Sequence, residues 1–508
     1  MRSIAIVTGL LILNTGFWLV CSKRTKWHID EILADEDKCD GILKHVENCH
    51  VTAQIPPDVT GIWTSKRCET RPGPEYLLRR YKFGNNSIFE AHQYFYKDSQ
   101  CSSPLYGIIA KGFYKPTRVS WIVPGGTETD YYLEHVIVIP YQPEVAKSMQ
   151  DRVNRTCPNM LNEIWKPYVP YEIFNYAEFP SADSDDYIIL DKDCTHAMGF
   201  NMHELQLMRV EMRQHLQHKR RELFLGSIGT DTESRMEHRP TSYQVPLLHV
   251  QAKGCSVCHN VANSDDFIPP ELPIHEPLPI SLPGEWVSMR CENRPNGIFL
   301  TRQFQFDQDQ RTWLGHYRHF TDPVCRQPAF TIFAWGTYYA GPESTVVDGS
   351  YNYDFKVIQI KITPQNMPTV RALNSNDRDD CGKSRSWELN RQQDVTSTNG
   401  CTTLSLRVPY IEHEILKTTI HHKKMWLYFG ERPSDGKGPT TPRRRATSFQ
   451  APLVKCRTVK PRGYSQKHEP RPVLDLHYNI SPLSASGALV VSWLRWNYWL
   501  LAIALVLR

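Results

Sequence analysis

The chain has 508 residues, room for about three domains of typical size, and carries a net charge of +5 that is spread along its length. A weak, dispersed charge argues against nucleic-acid binding. Aromatic residues make up 11% and charged residues 22% of the chain, which is near the composition of ordinary globular domains. The 36 prolines indicate many loops and turns and argue against an all-helical fold.

The N-terminus has the pattern of a secretory signal. Arg2 supplies the positive end, residues 4–20 are almost wholly apolar, and cleavage is expected after Ser22; an uncleaved membrane anchor is the alternative. Secretion would place the 14 cysteines where disulfides form. Cleavage removes Cys21 and leaves an odd number, so one thiol would be free or would join two chains into a homodimer.

Two long stretches of the sequence match each other in order. Gly-Ile-Trp at residue 61 and Cys-Glu-Thr-Arg-Pro at residue 68 recur as Gly-Glu-Trp at residue 284 and Cys-Glu-Asn-Arg-Pro at residue 291. Each stretch closes on one phrase, Arg-Pro-Thr-Ser-Tyr-Gln-Val-Pro-Leu from residue 239 and Arg-Ala-Thr-Ser-Phe-Gln-Ala-Pro-Leu from residue 445. Matches over this length predict the tandem duplication of one large module.

The duplication sets the expected domain boundaries. We predict a signal peptide (1–22), a polar lead-in (23–55), a first module (56–258), a proline-rich linker (259–283), a second module (284–456), a stalk (457–485) and a C-terminal membrane anchor (486–508). The last segment is apolar and about long enough to span a bilayer, although Arg495 and Asn497 interrupt it. We expect a single-pass type I membrane protein, with a glycolipid anchor as the alternative.

Alternating apolar residues predict strands in both modules. Residues 77–83 and 89–95 flank a polar turn and predict a β-hairpin, and residues 298–306 and 313–317 repeat the pattern. Further strands are predicted at 105–110, 131–139 and 197–210, each with a counterpart in the second module, and a helix is predicted at 143–153. Sequential strands favour an antiparallel meander that closes into a barrel. The expected fold is therefore mainly β, with two tandem lipocalin-like antiparallel barrels braced by disulfides.

Each module carries four matched cysteines. We expect sequential pairing within each module, although four cysteines allow three connectivities. The expected disulfide residues are Cys68, Cys101, Cys157, Cys194, Cys291, Cys325, Cys381 and Cys401. The Cys255-Ser-Val-Cys258-His259 run fits a haem-attachment or redox motif, but in a secreted, cysteine-rich chain the favoured interpretation is structural.

Three Asn-x-Ser/Thr triplets are candidate glycosylation sites. They begin at Asn85, Asn154 and Asn479. Each triplet is a weak signal alone, but in a secreted chain it predicts an exposed position that carries a glycan.

The sequence contains no recognisable catalytic or metal-binding motif. The His203-Glu204 pair lacks the second histidine of a zinc helix, and no nucleophile elbow or phosphate loop appears. We therefore predict no enzyme activity, no metal and no cofactor. The matched Arg79 and Arg302 fall on strand faces with apolar neighbours, and an unpaired buried charge is costly. We therefore predict structural ion pairs, with Glu69 and Glu292 as candidate partners; contact with a ligand on an open face is the alternative.

The ordered motifs resemble the adenomatosis polyposis coli down-regulated protein family. The resemblance rests on Cys-Glu-x-Arg-Pro in both copies, Asn-Arg-Thr-Cys-Pro at residue 154, His-Glu-Leu-Gln-Leu at residue 203 and Arg-Pro-Ser-Asp-Gly at residue 432, and covers about residues 38–456. It implies a membrane-anchored glycoprotein that inhibits Wnt signalling by binding Wnt proteins and the low-density-lipoprotein-receptor-related co-receptor. A lipid-carrier or adhesion ectodomain without Wnt activity is the alternative.

Wnt proteins carry a fatty acyl group, and an eight-stranded barrel can hold one small ligand. We therefore hypothesise that at least one module sequesters this group in its interior. The candidate wall residues come from the alternating aromatic sets of the two hairpins; simple core packing is the alternative for each of them. They are Tyr81, Phe83, Phe304, Phe306 and Trp313.

Overall fold

A computed structural model describes residues 38–48, 51–158, 163–180, 187–215, 218–231, 235–375, 380–421, 423–435 and 438–456. Several predictions concern residues outside these ranges. They are the signal peptide (1–22), the stalk with Asn479 (457–485) and the membrane anchor (486–508). Cys21 and Cys49 also lie outside the described residues.

The described residues form two antiparallel β-barrels with four short α-helices around them, so the mainly-β, duplicated fold is confirmed. The helices are α1 (Cys39–Asn48), α2 (Pro143–Thr156), α3 (Ser256–Ala262) and α4 (Met367–Asn374). The helix predicted at 143–153 is α2, which buries Ala146, Met149 and Val153 on one face.

The first module forms barrel 1. Its strands are β1 (Thr52–Ala53), β2 (Gly61–Thr64), β3 (Glu69–Arg71), β4 (Glu75–Phe83), β5 (Ile88–Tyr96), β6 (Pro104–Val119), β7 (Thr127–Pro140), β8 (Tyr171–Pro180), β9 (Tyr187–Asp193), β10 (Leu207–His215), β11 (His218–Leu225) and β12 (Leu247–His249). Eight strands close the ring in the order β2-β4-β5-β6-β7-β10-β11-β12, and β12 pairs back to β2.

The second module forms barrel 2. Its strands are β13 (Gly284–Ser288), β14 (Glu292–Arg294), β15 (Ile298–Phe306), β16 (Thr312–Phe320), β17 (Pro328–Glu343), β18 (Tyr351–Pro364), β19 (Gln393–Asp394), β20 (Gly400–Cys401), β21 (Leu406–Arg407), β22 (Tyr410–His421), β23 (Lys424–Phe429) and β24 (Leu453–Cys456). The ring order β13-β15-β16-β17-β18-β22-β23-β24, closed by β24 on β13, repeats that of barrel 1.

One strand prediction was wrong at its start. The segment 197–210 was expected to be a strand, but β10 begins at Leu207, and the residues before it form 3-10 turns at Thr195–Met198 and His203–Gln206. The counterpart strand β22 likewise begins at Tyr410 rather than at residue 404. In both cases apolar residues in turns are buried in the core. Their spacing in the sequence resembles the alternating pattern of a strand, which explains the wrong prediction.

The two matched arginines close their barrels through buried ion pairs, as predicted. Arg79 is fully buried, and its Nη2 donates to Glu69 Oε2 at 2.6 Å and to the Val245 carbonyl at 3.0 Å. Arg302 repeats the arrangement with Glu292 and the Ala451 carbonyl. Each arginine therefore joins the motif that opens its module to the phrase that closes it.

Six disulfides lie in the described residues. Within the modules, neighbouring matched cysteines are joined; the pairs are Cys68–Cys101, Cys157–Cys194, Cys291–Cys325 and Cys381–Cys401. Cys255 is joined to Cys258 at the start of α3. The sixth bridge, Cys39–Cys456, was not anticipated and attaches α1 to the last strand of barrel 2 across 417 positions of sequence.

The proline-rich segment between the modules packs on barrel 1. Tyr94 and Tyr141 donate from their hydroxyls to the carbonyls of Asp265 and Asp266, at 3.3 and 3.0 Å. His92 Nε2 lies 2.8 Å from the Asp266 carboxylate. The segment expected to be an extended spacer is thus held against the outer wall of the first barrel.

Contacts between the barrels occur in matched pairs. The Gly73 amide donates to Thr447 Oγ1 at 2.8 Å, and the Asn296 amide, its counterpart, donates to Thr241 Oγ1 at 3.1 Å. The guanidinium of Arg67 lies over the Tyr428 ring, and that of Arg290 over the Phe224 ring. Reciprocal contacts of this kind define a two-fold interface, here formed within one chain.

An ion cluster on barrel 1 strengthens this interface. Arg290 of the second module bonds to Glu222 on β11, which also lies 3.4 Å from Arg213. Burial alone would raise the pKa of Glu222, but Arg290, Lys66 and Arg213 outweigh it and hold the pKa at about 2. The carboxylate is therefore charged at every physiological pH.

Replacement of Arg79 should destabilise the protein strongly. Arg79→Met leaves Glu69 buried without its partner, a change that costs about 3–5 kcal/mol and should lower the melting temperature by about 10 °C or more. Arg118→Met removes an exposed ion pair with Glu128 and is the control, since such pairs contribute little. Equal thermal midpoints for the two variants would contradict the assigned role of Arg79.

The contribution of Glu222 should depend on pH. Its folded pKa of about 2 lies below the ordinary value of 4.5, so its stabilisation is present above pH 4.5 and is lost as the pH falls towards 2. The difference in melting temperature between the wild type and Glu222→Gln should therefore be largest above pH 5 and shrink towards pH 2. A difference that stays constant from pH 7 to pH 2.5 would refute the ion-pair assignment.

Candidate functional site

The five predicted wall residues all lie inside the barrels. Their side chains are at most 4% exposed, and they pack against other core aromatics. Phe83 contacts Tyr114, with ring centroids 5.2 Å apart, and Phe304 stacks on Phe429 at 5.1 Å. Tyr81 differs from the others because its hydroxyl donates to the buried carboxylate of Glu204. The structure thus places these residues in the core, away from the cleft described below.

Both cores contain many buried aromatic side chains, but they differ in methionine content. In barrel 2, the Phe355 ring lies 5.8–6.2 Å from the rings of Phe306, Trp313 and Tyr338. The core of barrel 1 includes the buried side chains of Met149, Met202 and Met208, whereas the described core of barrel 2 has one partly buried methionine, Met425. Methionine adapts to irregular shapes.

Barrel 1 has a gap in its wall between β7 and β10. Only two residue pairs join these strands, Leu207 with Glu128 and Met208 with Thr127. The same seam in barrel 2, between β18 and β22, has seven pairs. Farther along, β7 pairs with β8 from His135 onwards, so within the described chain residues 129–134 have no strand partner on this edge. At about 3.3 Å per residue the gap is about 20 Å long.

A cleft lies at this gap. Its volume is about 540 Å³, and it is lined by Tyr131, Tyr132, Leu133, Phe174, Tyr176 and Gln206. Tyr132 and Tyr176 are 61% and 43% exposed, whereas Tyr131, Leu133 and Phe174 pack against the core of barrel 1. The cleft is therefore open to solvent on one side and backed on the other by residues that pack against the apolar core, and its size falls in the range of small-molecule sites.

A chain of hydrogen bonds fixes one wall of the cleft. The Tyr131 hydroxyl accepts from the Met202 amide at 3.3 Å and lies 2.9 Å from His203 Nδ1, while His203 Nε2 lies 2.8 Å from the Met236 carbonyl. Because a carbonyl only accepts, Nε2 carries the proton and Nδ1 accepts from the phenol. Burial, with a further contribution from Glu204, raises the pKa of Tyr131 to about 12, so the phenol remains a donor.

The His203-Glu204-Leu205-Gln206-Leu207 motif places one polar side chain in the barrel core and another at the cleft. Glu204 is fully buried and accepts from Arg71 Nη2 at 3.0 Å and from Tyr81 inside the barrel, whereas Gln206 lines the cleft and His203 holds Tyr131, which also lines it. This turn takes the place of the missing β10 pairing. In the sequence this motif is recognisable through its family resemblance, but no local pattern indicates that it borders a cleft.

An exposed apolar row reaches the cleft across three strands. Ile88, Phe113 and Tyr132 are direct partners on β5, β6 and β7, and each is at least 36% exposed. The matched row in barrel 2, aligned through Gly112 and Gly336, consists of Thr312, Thr337 and Lys356. The fold therefore accommodates polar residues at these positions, and the apolar row is specific to barrel 1.

The other predicted site residues are also placed. Asn85 lies in the exposed turn between β4 and β5, and Asn154 is exposed in the last turn of α2. Among the described residues, one group has metal-like spacing, formed by Cys39, Cys456 and Glu285. Both of its cysteines are engaged in a disulfide with each other, so this group does not offer thiolate ligands.

Comparison with known families decides the relationship suggested by the motifs. The family model described as Adenomatosis polyposis coli down-regulated 1 matches residues 38–273 and 275–462. The chain belongs to this family. The two matched segments coincide with the two barrels, and membership in the adenomatosis polyposis coli down-regulated family is consistent with a cell-surface protein that regulates Wnt signalling. The absence of enzyme activity stays a prediction.

The anchor prediction lies outside the described residues. In the part of the chain that the structure describes, no helix combines the length and the apolar character needed to cross a bilayer. The single-pass and glycolipid anchors therefore both stay predictions.

Proposed function

We propose that this protein inhibits Wnt signalling at the cell surface by binding the acylated Wnt ligand and holding its acyl group in the cleft of barrel 1. The observation that carries the proposal is the gap of about 20 Å between β7 and β10, lined by aromatic side chains of which Tyr131 and Phe174 pack against the core of barrel 1. The corresponding seam of barrel 2 has seven residue pairs, which favours barrel 1 as the site.

Burial of the acyl chain would supply much of the affinity. Each buried methylene contributes about 0.8 kcal/mol, so five methylenes contribute about 4 kcal/mol. The same burial removes the chain from the receptor that requires it. The apolar row of Ile88, Phe113 and Tyr132 gives the polypeptide of the ligand a contact surface beside the cleft.

We also propose the low-density-lipoprotein-receptor-related co-receptor as a second partner. This partner rests on family membership alone, and no described residue is assigned to it. A lipid carrier or adhesion ectodomain would share the barrel and the cleft but would leave a Wnt reporter unchanged.

Charges placed in the cleft should abolish the binding of acylated Wnt. In the double variant Tyr132→Asp and Tyr176→Asp, both positions are exposed enough to accept aspartate, and we expect at least a tenfold loss of affinity and of inhibition in a Wnt reporter assay. Tyr339→Asp, at a 53% exposed tyrosine of barrel 2, is the matched control and should behave as wild type.

Two results would reject this function in different ways. Equal affinity of the wild type for acylated and non-acylated Wnt would eliminate the acyl mechanism. An unaffected reporter in both Wnt-producing and Wnt-receiving cells would favour the carrier or adhesion alternative.

The apolar row should contribute separately to the binding of the Wnt polypeptide. Ile88→Thr with Phe113→Thr introduces a residue type that barrel 2 already carries at the matched positions, so folding should be preserved. We expect a severalfold loss of affinity for acylated Wnt and no change for a small fluorescent acyl probe, measured side by side. If the variant lost binding of both acylated Wnt and the acyl probe, the row would support the fold of the cleft and would not be a separate contact surface for the Wnt polypeptide.

A further inference from the structure

The gap in the wall of barrel 1 leaves part of β7 as an open sheet edge. Residues 129–134 have no strand partner on this side within the described chain, because β10 pairs only as far as Glu128 and β8 only from His135. Along such an edge every second residue directs its N–H and C=O groups away from the sheet. Backbone donors and acceptors therefore face the cleft, where they can pair with an added strand.

Barrel 2 shows what this edge accommodates. Gly112 and Gly336 align the two copies, so residues 127–133 of β7 correspond to residues 351–357 of β18. All of residues 351–357 pair with β22, whereas in barrel 1 only Thr127 and Glu128 pair with β10. The fold therefore accepts an antiparallel strand along the whole seam, and barrel 1 lacks that strand at residues 129–133.

Both copies carry an aspartate at the same place on this edge. Asp354 of β18 pairs with His413 of β22, and its Oδ1 lies 2.7 Å from His413 Nδ1 and 2.6 Å from Arg445 Nη2. The matched residue of barrel 1 is Asp130, which is exposed and makes no ion pair within the described chain. Asp130 therefore lacks the basic side chain that the neighbouring strand supplies in barrel 2.

Two basic residues of barrel 1 are candidates for this role, but neither fills it. Lys115 is the direct neighbour of Asp130 on β6, yet the two make no ion pair among the described contacts. Arg239 is the match of Arg445 in the closing phrase, but it is exposed and makes no described ion pair with Asp130. A strand on the free side of β7 would place a side chain directly opposite Asp130, and a basic residue is the complement there.

The two faces of the edge differ in polarity. Tyr131 and Leu133 pack against the core of barrel 1, whereas Asp130 and Tyr132 are exposed on the opposite face. Side chains of paired strands that point to the same face lie beside each other. On an added strand, a side chain that enters the cleft therefore alternates with the one that meets Asp130.

We propose that an extended segment of the acylated ligand adds to the open edge of β7 as a strand, with a basic side chain opposite Asp130 and the acyl-bearing side chain in the cleft. This inference deepens the function proposed above and rests on it. The backbone of residues 129–134 holds the peptide, Asp130 fixes its register, and the cleft takes the acyl group. A free lipid satisfies only the last of these contacts, so the preferred ligand is an acylated polypeptide.

Backbone-methylated peptides test the strand pairing. The probe has about eight residues of alternating valine and threonine, as suits an edge of this length, with a lysine on the threonine face and a palmitoylated serine on the valine face. The protein is the chain ending at Val459, a compact unit that contains every described residue. N-Methylation of every second residue removes the donors along one edge of the peptide, and methylation of the other residues removes those along the opposite edge.

We expect one methylated peptide to lose at least tenfold in affinity and the other, its matched control, to bind as the unmethylated peptide does. Equal affinities of the two methylated peptides would overturn the inference and leave acyl binding standing. Failure of every acylated peptide to bind would overturn both the inference and the proposed function.

A charge reversal tests the role of Asp130. Asp130→Lys should weaken binding of the lysine peptide severalfold, and a peptide with glutamate in place of the lysine should restore it. The position is exposed, so the melting temperature should not change. Asp309→Lys, exposed between β15 and β16 of barrel 2, is the control and should bind both peptides as the wild type does. If Asp130→Lys showed no preference for the glutamate peptide, the assigned pairing would be refuted.

Discussion

A buried carboxylate–guanidinium pair is the interaction on which each barrel depends. Glu69 and Arg79 lie about 10 positions apart in sequence, but Arg79 also reaches the Val245 carbonyl near the end of the module. Ser65 completes the arrangement by donating to Glu69 Oε1 at 2.5 Å. The first and last strands of a closed barrel must pair with each other. Arg79 bonds to groups near both ends of the module, so its hydrogen bonds are complete only when the barrel is closed. Apolar contacts alone do not impose this requirement.

The two copies share this closure but differ at another seam, between β7 and β10 in barrel 1 and between β18 and β22 in barrel 2. Both rings have the same strand order, yet two residue pairs join β7 to β10 whereas seven join β18 to β22. The difference originates in the turn at His203–Gln206, which directs Glu204 inward and Gln206 outward. The two copies therefore share one closure but differ at this seam, where barrel 1 has a cleft, and the function proposed here assigns ligand binding to that copy.

Much of the architecture could be predicted because it follows from patterns among residues that are close together in the sequence. The alternation in residues 77–95 predicts the β4–β5 hairpin, and the matched arginines among apolar neighbours predict partners at Glu69 and Glu292. The cleft could not be predicted in this way. It depends on the small number of residue pairs between β7 and β10, two strands about 70 positions apart in sequence. The alternation of apolar and polar residues in a strand does not show how many of its residues pair with a distant strand. The apolar row was missed for a related reason, since Ile88, Phe113 and Tyr132 become neighbours only through the register of three strands.

The bridge between Cys39 and Cys456 turns the described part of the chain into a covalent ring. Helix α1 packs through Ile42 and Leu43 against Val287 and Val454 of barrel 2, while β1, a few residues later, pairs with β10 of barrel 1. The described part of the chain thus begins on the second barrel, passes through the first and returns. A single proteolytic cut in any loop between the two cysteines would open the ring but release neither barrel, so a chain cut once would remain one covalent molecule.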